Sequence, residues 1–176
     1  YKIGNAAGVS PSAGPQAEPP KKYTNKLEVP FGLTAYFDLE EGMAAAKILK
    51  KPIMLDFTGH TCPNCRKMEE QVWKDPAVLS RIKENFVLVS LYVDETEELP
   101  ASEQYTDKNG VKIETVGGKN LDYEIKTFGF NAQPLYMFLD LNGKPLSDVK
   151  YGYDPSVAGF IKHLDAVKAA FDAANK

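Results

Sequence analysis

The chain has 176 residues, 43% of them hydrophobic, with 21 basic and 24 acidic side chains for a net charge of -3. A length of this order suits one domain that buries about 70% of its unfolded surface, and two cysteines are too few for a disulfide scaffold or a four-thiolate zinc site. The longest basic runs are the pairs Lys21-Lys22 and Lys50-Lys51, which excludes the footprint of a nucleic-acid or acidic-membrane binder, and no apolar run is long enough to span a bilayer.

Residues 1–30 read as a flexible linker rich in Pro, Gly and Ala, most plainly over 1–22, where four prolines and three glycines leave only Tyr1, Ile3 and Val9 as sizeable apolar residues. There is no initiator methionine and no charged-then-apolar signal segment at Tyr1, so the chain is expected to be a processed protein or part of a longer one. From Phe31 a single domain is expected to run to residue 176.

Leu33 to Phe37 reads as a short strand, and Asp38 as the N-cap of a helix over about 39–50, with Met43, Ala46, Ile48 and Leu49 as its apolar positions. Pro52 ends that helix, and Ile53 to Phe57 forms an apolar run suited to a strand buried on both faces, interrupted only by Asp56. A helix follows from Cys62 to about Val72. Asp75-Pro76 then caps another to about Asn85, burying Val78, Leu79 and Ile82. Phe86 to Val93 is a second strongly apolar strand. An insertion is expected over about 95–120, with Lys108-Asn109-Gly110 as a hairpin turn. Gly117-Gly118 leads into a helix over about 121–128, and Leu135 to Leu139 is a third strand. Asn142-Gly143 is a tight turn, Val149 to Tyr153 a fourth strand, and Asp154-Pro155 opens the last helix, with Phe160, Leu164, Val167 and Phe171 on its apolar stripe. His163, beside that stripe, reads as a solvated surface residue. A parallel βαβ unit followed by an antiparallel hairpin and a closing helix is an α/β sandwich.

Cys62-Pro63-Asn64-Cys65 follows a strand and opens a helix. In a βαβ context this spacing is the signature of a redox dithiol. Two thiols three residues apart at a helix start can close a disulfide, while the first meets the unpaired N–H groups and positive end of the helix dipole. A metal site would need two further ligands, and His60 is the only soft one nearby. A structural disulfide closing so short a loop would constrain the unfolded chain little. Asp56 is a carboxylate in an apolar strand, where burial should raise its pKa toward the range useful for moving protons. Glu69 follows Cys65 by four residues and shares its helix face.

The stretch from Lys51 to Asp94 resembles the thioredoxin superfamily, and within it the C-terminal periplasmic domains of the DsbD family of thiol:disulfide interchange proteins. The resemblance covers about residues 37–171. It rests on K-P-[IV]-M-L-D ahead of the dithiol, on C-x-x-C-[KR]-x-x-E, on D-P-x-V in the next helix, and on a proline before the third strand. It implies a thioredoxin-like three-layer sandwich, a central mixed sheet with helices on both faces. It also implies that Cys62 is the exposed nucleophile, Cys65 the buried resolving thiol, Asp56 the buried acid, Glu69 a second acid of this branch, and Pro134 a cis-proline facing the dithiol. Thr61 and Ser90 stand where common thioredoxins carry a tryptophan and a lysine, and Gln133 precedes the proline. With two carboxylates opposing the helix dipole, Cys62 is not expected to be strongly acidified.

The expected activity is protein-disulfide reduction by dithiol exchange, as a relay that takes electrons from a membrane-embedded donor and passes them to periplasmic acceptors. It needs no cofactor beyond the Cys62–Cys65 disulfide and no metal. The expected location is the bacterial periplasm, on a tether to the inner membrane, with no insertion of this chain itself. The competing readings are a stand-alone periplasmic reductase or isomerase, and a metal-delivery module using Cys62, Cys65 and His60.

Overall fold

Three runs of consecutive apolar residues set the centre of the domain. In the computed structural model, which describes residues 21–176, they are β2 and β3 of a four-stranded sheet and its last strand, β6. In chain order the elements are β1 (Ala35–Tyr36), α1 (Leu39–Leu49), β2 (Ile53–Thr58), α2 (Pro63–Met68), α3 (Pro76–Asn85), β3 (Val87–Tyr92), β4 (Tyr105–Thr106), β5 (Lys112–Ile113), α4 (Val116–Phe128), β6 (Leu135–Leu139) and α5 (Val157–Ala174). The sheet order is β1-β3-β2-β6, with β1, β3 and β2 parallel and β6 antiparallel.

Alternate residues of the buried strands feed two separate apolar layers, as the two-residue period requires. Met54, Leu88, Tyr136 and Phe138 pack with Met68, Trp73, Val78, Ile82, Phe160 and Leu164 on one face. Ile53, Leu55, Phe57, Val89 and Met137 pack with Ala45, Ala46 and Phe128 on the other. Helices α2, α3 and α5 therefore cover one face of the sheet and α1 and α4 the other, which is the expected three-layer sandwich.

Two expected caps form, while the last helix starts later than expected, at Val157 with Ser156 in place of Asp154 as its N-cap. Asp38 accepts from the Glu41 N–H at the start of α1, and Asp75 from the Ala77 N–H at the start of α3. Of its expected apolar positions, helix α1 buries Ala46 fully and Met43 and Ile48 partly. It buries Glu41, Gly42, Ala45 and Ala46, while Leu49 is exposed. Small residues let the helix approach β3 so closely that a Cβ at position 42 would sit 2.3 Å from Val89 Cγ2. Helix α2 runs on into one π-helical turn, Glu69–Trp73, which carries Trp73 into the core.

Four further expectations change. The excursion after β3 ends at Thr115, because α4 starts at Val116, five residues before the expected start, with Thr115 as its N-cap. The Gly-Gly pair lies inside the helix, where a Cβ at 117 would meet Glu95 N at 2.6 Å and Val93 O at 2.7 Å. Val149 to Tyr153 is not a strand, since only Tyr151 bridges to Tyr136. His163 is partly buried, stacked on Tyr151 at 4.9 Å between ring centroids and edge-on to Phe138 at 5.3 Å, and this burial holds its pKa below the usual histidine value. Finally, residues 21–30 are packed chain: Leu27 is 3% exposed, and Tyr23 and Val29 lie against the core. The packed unit thus begins ahead of the expected boundary at 31, and the rest of the expected linker, residues 1–20, lies outside the described residues.

Candidate active site

Strand β2 delivers the chain to the dithiol. After Thr58 a four-residue loop ends at Cys62, the N-cap of α2, with Pro63 at the first helical position. Cys62 and Cys65 are joined as a disulfide, with a Cα–Cα distance of 5.3 Å. Cys62 is partly exposed and Cys65 is buried. The Cys65 N–H lies 3.2 Å from Cys62 Sγ, which it meets as a donor. A helix start thus presents backbone donors to the outer sulfur, the arrangement that stabilises a thiolate there.

The loop before Cys62 is held from β3. Asp94 accepts from the His60 N–H at 2.8 Å, the Thr61 N–H at 3.2 Å and the Thr61 hydroxyl at 3.3 Å. Burial alone would raise its pKa. The two backbone donors, the neighbouring His60 and the Thr61 hydroxyl outweigh that and hold it below the usual carboxylate value.

Asp56 lies on the sheet face that α2 covers. It is 3% exposed and stands in register between Ser90 of β3 and Tyr136 of β6. The Ser90 hydroxyl donates to it at 2.9 Å. Burial pushes its pKa up to about 7, with the Glu69 charge adding to the rise and the Ser90 hydrogen bond and Arg66 opposing it. Ser90, at the position of the common lysine, therefore supplies a neutral donor in place of a cation.

Glu69 is paired. Arg66 Nη2 is 3.2 Å from Glu69 Oε1 and also donates to Thr58 Oγ1 at 2.9 Å and Gly59 O at 3.4 Å. Burial raises the Glu69 pKa, against the pull of Arg66. This alters the electrostatic expectation at the dithiol. The two carboxylates do not act as two free negative charges, because Arg66 offsets one and the other is about half protonated near neutrality. The basic residue after the second cysteine belonged to the quoted motif, and that was the signal for Arg66.

Tyr92 ends β3 nearby. It is 5% exposed, its hydroxyl donates to Glu28 O at 3.0 Å, and its ring lies 4.6 Å from that of His60. Burial lifts its pKa, with Arg66 opposing. A cleft of about 350 Å³, lined by Leu27, Glu28, His60, Arg66, Glu69 and Tyr92 among others, opens the Arg66–Glu69 pair to solvent. His60 Nε2 is 2.9 Å from Glu95 Oε2. No group of three or more His, Cys, Asp or Glu side chains is placed to hold a metal ion among the described residues.

Pro134 lies just ahead of the neighbouring strand β6. The Gln133–Pro134 bond is cis. Pro134 lies one residue beyond the antiparallel pair Phe57–Leu135, at the end of the sheet where β2 hands the chain to the dithiol loop. Glu124 of α4, which the sequence did not single out, accepts from the Ala132 N–H and the Gln133 amide just ahead of this proline.

A dithiol motif capping a helix after a parallel strand, with a cis-proline strand alongside, meets its match in the comparisons with known proteins: a thioredoxin-like domain family model covers residues 39–168. The chain belongs to the thioredoxin-like family. The thiol:disulfide interchange proteins DsbD of two Vibrio vulnificus strains are 29% identical to it over 130 residues, which is 74% of this chain and 18% of theirs. The chain thus spans less than a fifth of the length of those curated relatives. Among solved structures, a thioredoxin from Thermus thermophilus aligns with a TM-score of 0.57 at 22% identity, covering 83% of this chain and 95% of that one. A protein described as DsbH oxidoreductase aligns with a TM-score of 0.55 at 19% identity, covering 94% of this chain and 95% of that one. At these identities the structural matches establish a shared fold.

Proposed function

We propose that this thioredoxin-like domain is a protein-disulfide reductase that relays electrons between extracytoplasmic partners. The observation that carries the reading is the Cys62–Cys65 disulfide at a helix start, its outer sulfur accessible and its inner sulfur buried, on a domain whose sequence relatives are thiol:disulfide interchange proteins.

In the reduced domain the Cys62 thiolate attacks one sulfur of a partner disulfide. A mixed disulfide forms, and the partner's other sulfur leaves as a thiolate. Cys65, deprotonated in turn, attacks Cys62 Sγ, forming the Cys62–Cys65 bond and releasing as a thiolate the partner sulfur that Cys62 first attacked. Two electrons pass to the partner, which ends as a dithiol after taking up two protons, and the domain ends as the disulfide seen here. A donor dithiol restores it by the same steps in reverse order. Asp56, near pH 7 in its titration, serves as acceptor for the Cys65 proton, and Glu69, reached by solvent through the cleft, exchanges that proton with water. No cofactor enters the cycle.

The donor is assigned as a membrane-embedded thiol protein and the acceptors as periplasmic ones, by analogy with the DsbD relatives; the location follows from the same analogy. The test is Cys65→Ala. With no resolving thiol, the variant should accumulate a mixed disulfide through Cys62 with its physiological partners, to be identified by mass spectrometry. Capture of a membrane thiol protein supports the relay. Capture of soluble proteins alone replaces it with a stand-alone reductase or isomerase, and absence of any Cys62 adduct overturns the reading.

A further inference from the structure

Helix α4 buries Val116, Gly117, Asn120 and Phe128, and among them Glu124, whose residue exposure is 0%. A carboxylate taken out of water costs several kcal/mol unless its oxygens are satisfied. No cation pairs with it among the described residues. Its oxygens are filled by the Ala132 N–H at 3.0 Å and by the Gln133 side-chain amide, at 3.4 Å to one oxygen and 3.1 Å to the other.

All of these donors sit on one short segment. Gly129, in the left-handed conformation at φ 64°, turns the chain out of α4, and residues 130–133 return it to Pro134 and β6. The antiparallel pairing of β6 with β2 ends at Leu135 and Phe57, so this segment, just ahead of β6, and the dithiol loop, just after β2, lie at the same end of the sheet. Asn131 and Ala132 are exposed and Gln133 partly so. Glu124 is thus the buried anchor of a surface segment at the end of the sheet that carries the dithiol loop. Asp94 plays the matching part for the dithiol loop itself, from the end of β3.

We propose that Glu124 is a positioning residue for disulfide exchange with polypeptide partners, holding residues 132–133 in the geometry that seats a partner chain beside Cys62. The proposal rests on the dithiol-exchange reading above and adds to it a selectivity. A partner disulfide within a polypeptide needs the anchored segment as a contact surface, whereas a small disulfide needs only the exposed sulfur.

The experiment compares the reduced wild type, Glu124→Ala, Glu124→Gln and Gln133→Ala in single-turnover exchange with two substrates, insulin and 5,5′-dithiobis(2-nitrobenzoate). Loss of a hydrogen bond to a charged group corresponds to about tenfold or more in rate. Glu124→Ala and Gln133→Ala should lower the rate constant on insulin about tenfold and leave that on the small disulfide within about twofold. Glu124→Gln, which still accepts from Ala132, should recover most of the insulin rate. Gln133→Ala alters a partly exposed side chain and keeps the comparison usable if Glu124→Ala fails to fold. A wild type active on both substrates, with variants that leave the ratio of the two rates unmoved, overturns the anchoring role alone. A wild type that exchanges with the small disulfide and never with insulin removes the reductase reading, and the anchoring role with it.

Discussion

Asp56 carries a pH consequence whose sign and size follow from its burial. Buried on β2 with Ser90 as its hydrogen-bond donor, it titrates near 7 in the folded, oxidised domain against an ordinary value of 3.8. Between those two values the folded protein keeps a proton that the unfolded chain has already released. Folding stability from this group is therefore fully present below about pH 4, falls as pH rises toward 7, and stays low above it. A gap of about three pH units corresponds to on the order of 4 kcal/mol. Asp56→Asn keeps an oxygen for the Ser90 hydroxyl and removes the charge. It should leave stability near pH 4 almost unchanged and raise it by a few kcal/mol at pH 8. Urea unfolding of the two oxidised proteins at both pH values checks this, and an equal difference at the two would show that the carboxyl is not the titrating group. The same protonation equilibrium, set near neutrality, is what suits the residue to proton transfer from a buried thiol.

At the level of elements, two of the contacts that join the excursion after β3 to the rest of the domain bear on the site. Asp94 anchors the dithiol loop, and the backbone of Glu95 packs against α4 at Gly117. Gly117→Ala would force backbone apart, since the added methyl meets only main-chain atoms of Val93 and Glu95; it should destabilise by about 1–3 kcal/mol, read as a lowered urea midpoint. Asp94→Ala removes the acceptor of two backbone donors. Amide hydrogen exchange at His60 and Thr61 should quicken about tenfold, with β2 and β3 unaffected. These contacts mark where reading the sequence stops. Strands β2, β3 and β6 are legible because each is a mostly apolar run, broken only by Asp56 in β2 and Ser90 in β3, α1 and α3 because capping residues and a helical period frame them, and α5 by its period, its cap being Ser156 where Asp154 was expected. Helix α4 starts earlier than its sequence suggests because two glycines read as a breaker, when one is a close-packing requirement set by chain more than twenty residues away. Val149 to Tyr153 alternates like a strand, yet only Tyr151 finds a partner. The site divides the same way. Cys62, Cys65 and Asp56 stand out by spacing and by a charge in an apolar strand, and Pro134 by resemblance. Asp94, Tyr92 and Glu124 act through contacts eight to sixty-four residues distant along the chain, for which a single sequence carries no local mark.

For the whole molecule, the segment ahead of β1 belongs to the folded unit although it precedes the 39–168 family match. Leu27 is buried in the layer that holds Met54 and Trp73, and Tyr23 bridges that layer to the small cluster of Leu99, Ile113 and Val116. Polar ties run alongside: the Lys22 N–H to Glu41 at 2.8 Å, Lys26 to Glu97, and the Tyr92 hydroxyl to Glu28 O at 3.0 Å. The segment thus crosses from α1 to the acidic excursion, and on the way it forms one wall of the cleft that opens on Arg66 and Glu69. Removing it would expose an apolar strip of the core and strip the cover from that ion pair. Burying one leucine is worth about 1.5–3 kcal/mol, and Tyr23 and Val29 add partial burial. A chain spanning 31–176 should therefore be less stable than one spanning 21–176 by about 3 kcal/mol, with a correspondingly lower urea midpoint. Leu27→Ala in the longer chain should cost about 2 kcal/mol or more by itself. Equal midpoints for the two lengths would show that the segment only rests on the domain surface; a drop reproduced mainly by Leu27→Ala would locate the stabilisation in the apolar contact, ahead of the exposed ion pair, which is worth at most about 1 kcal/mol.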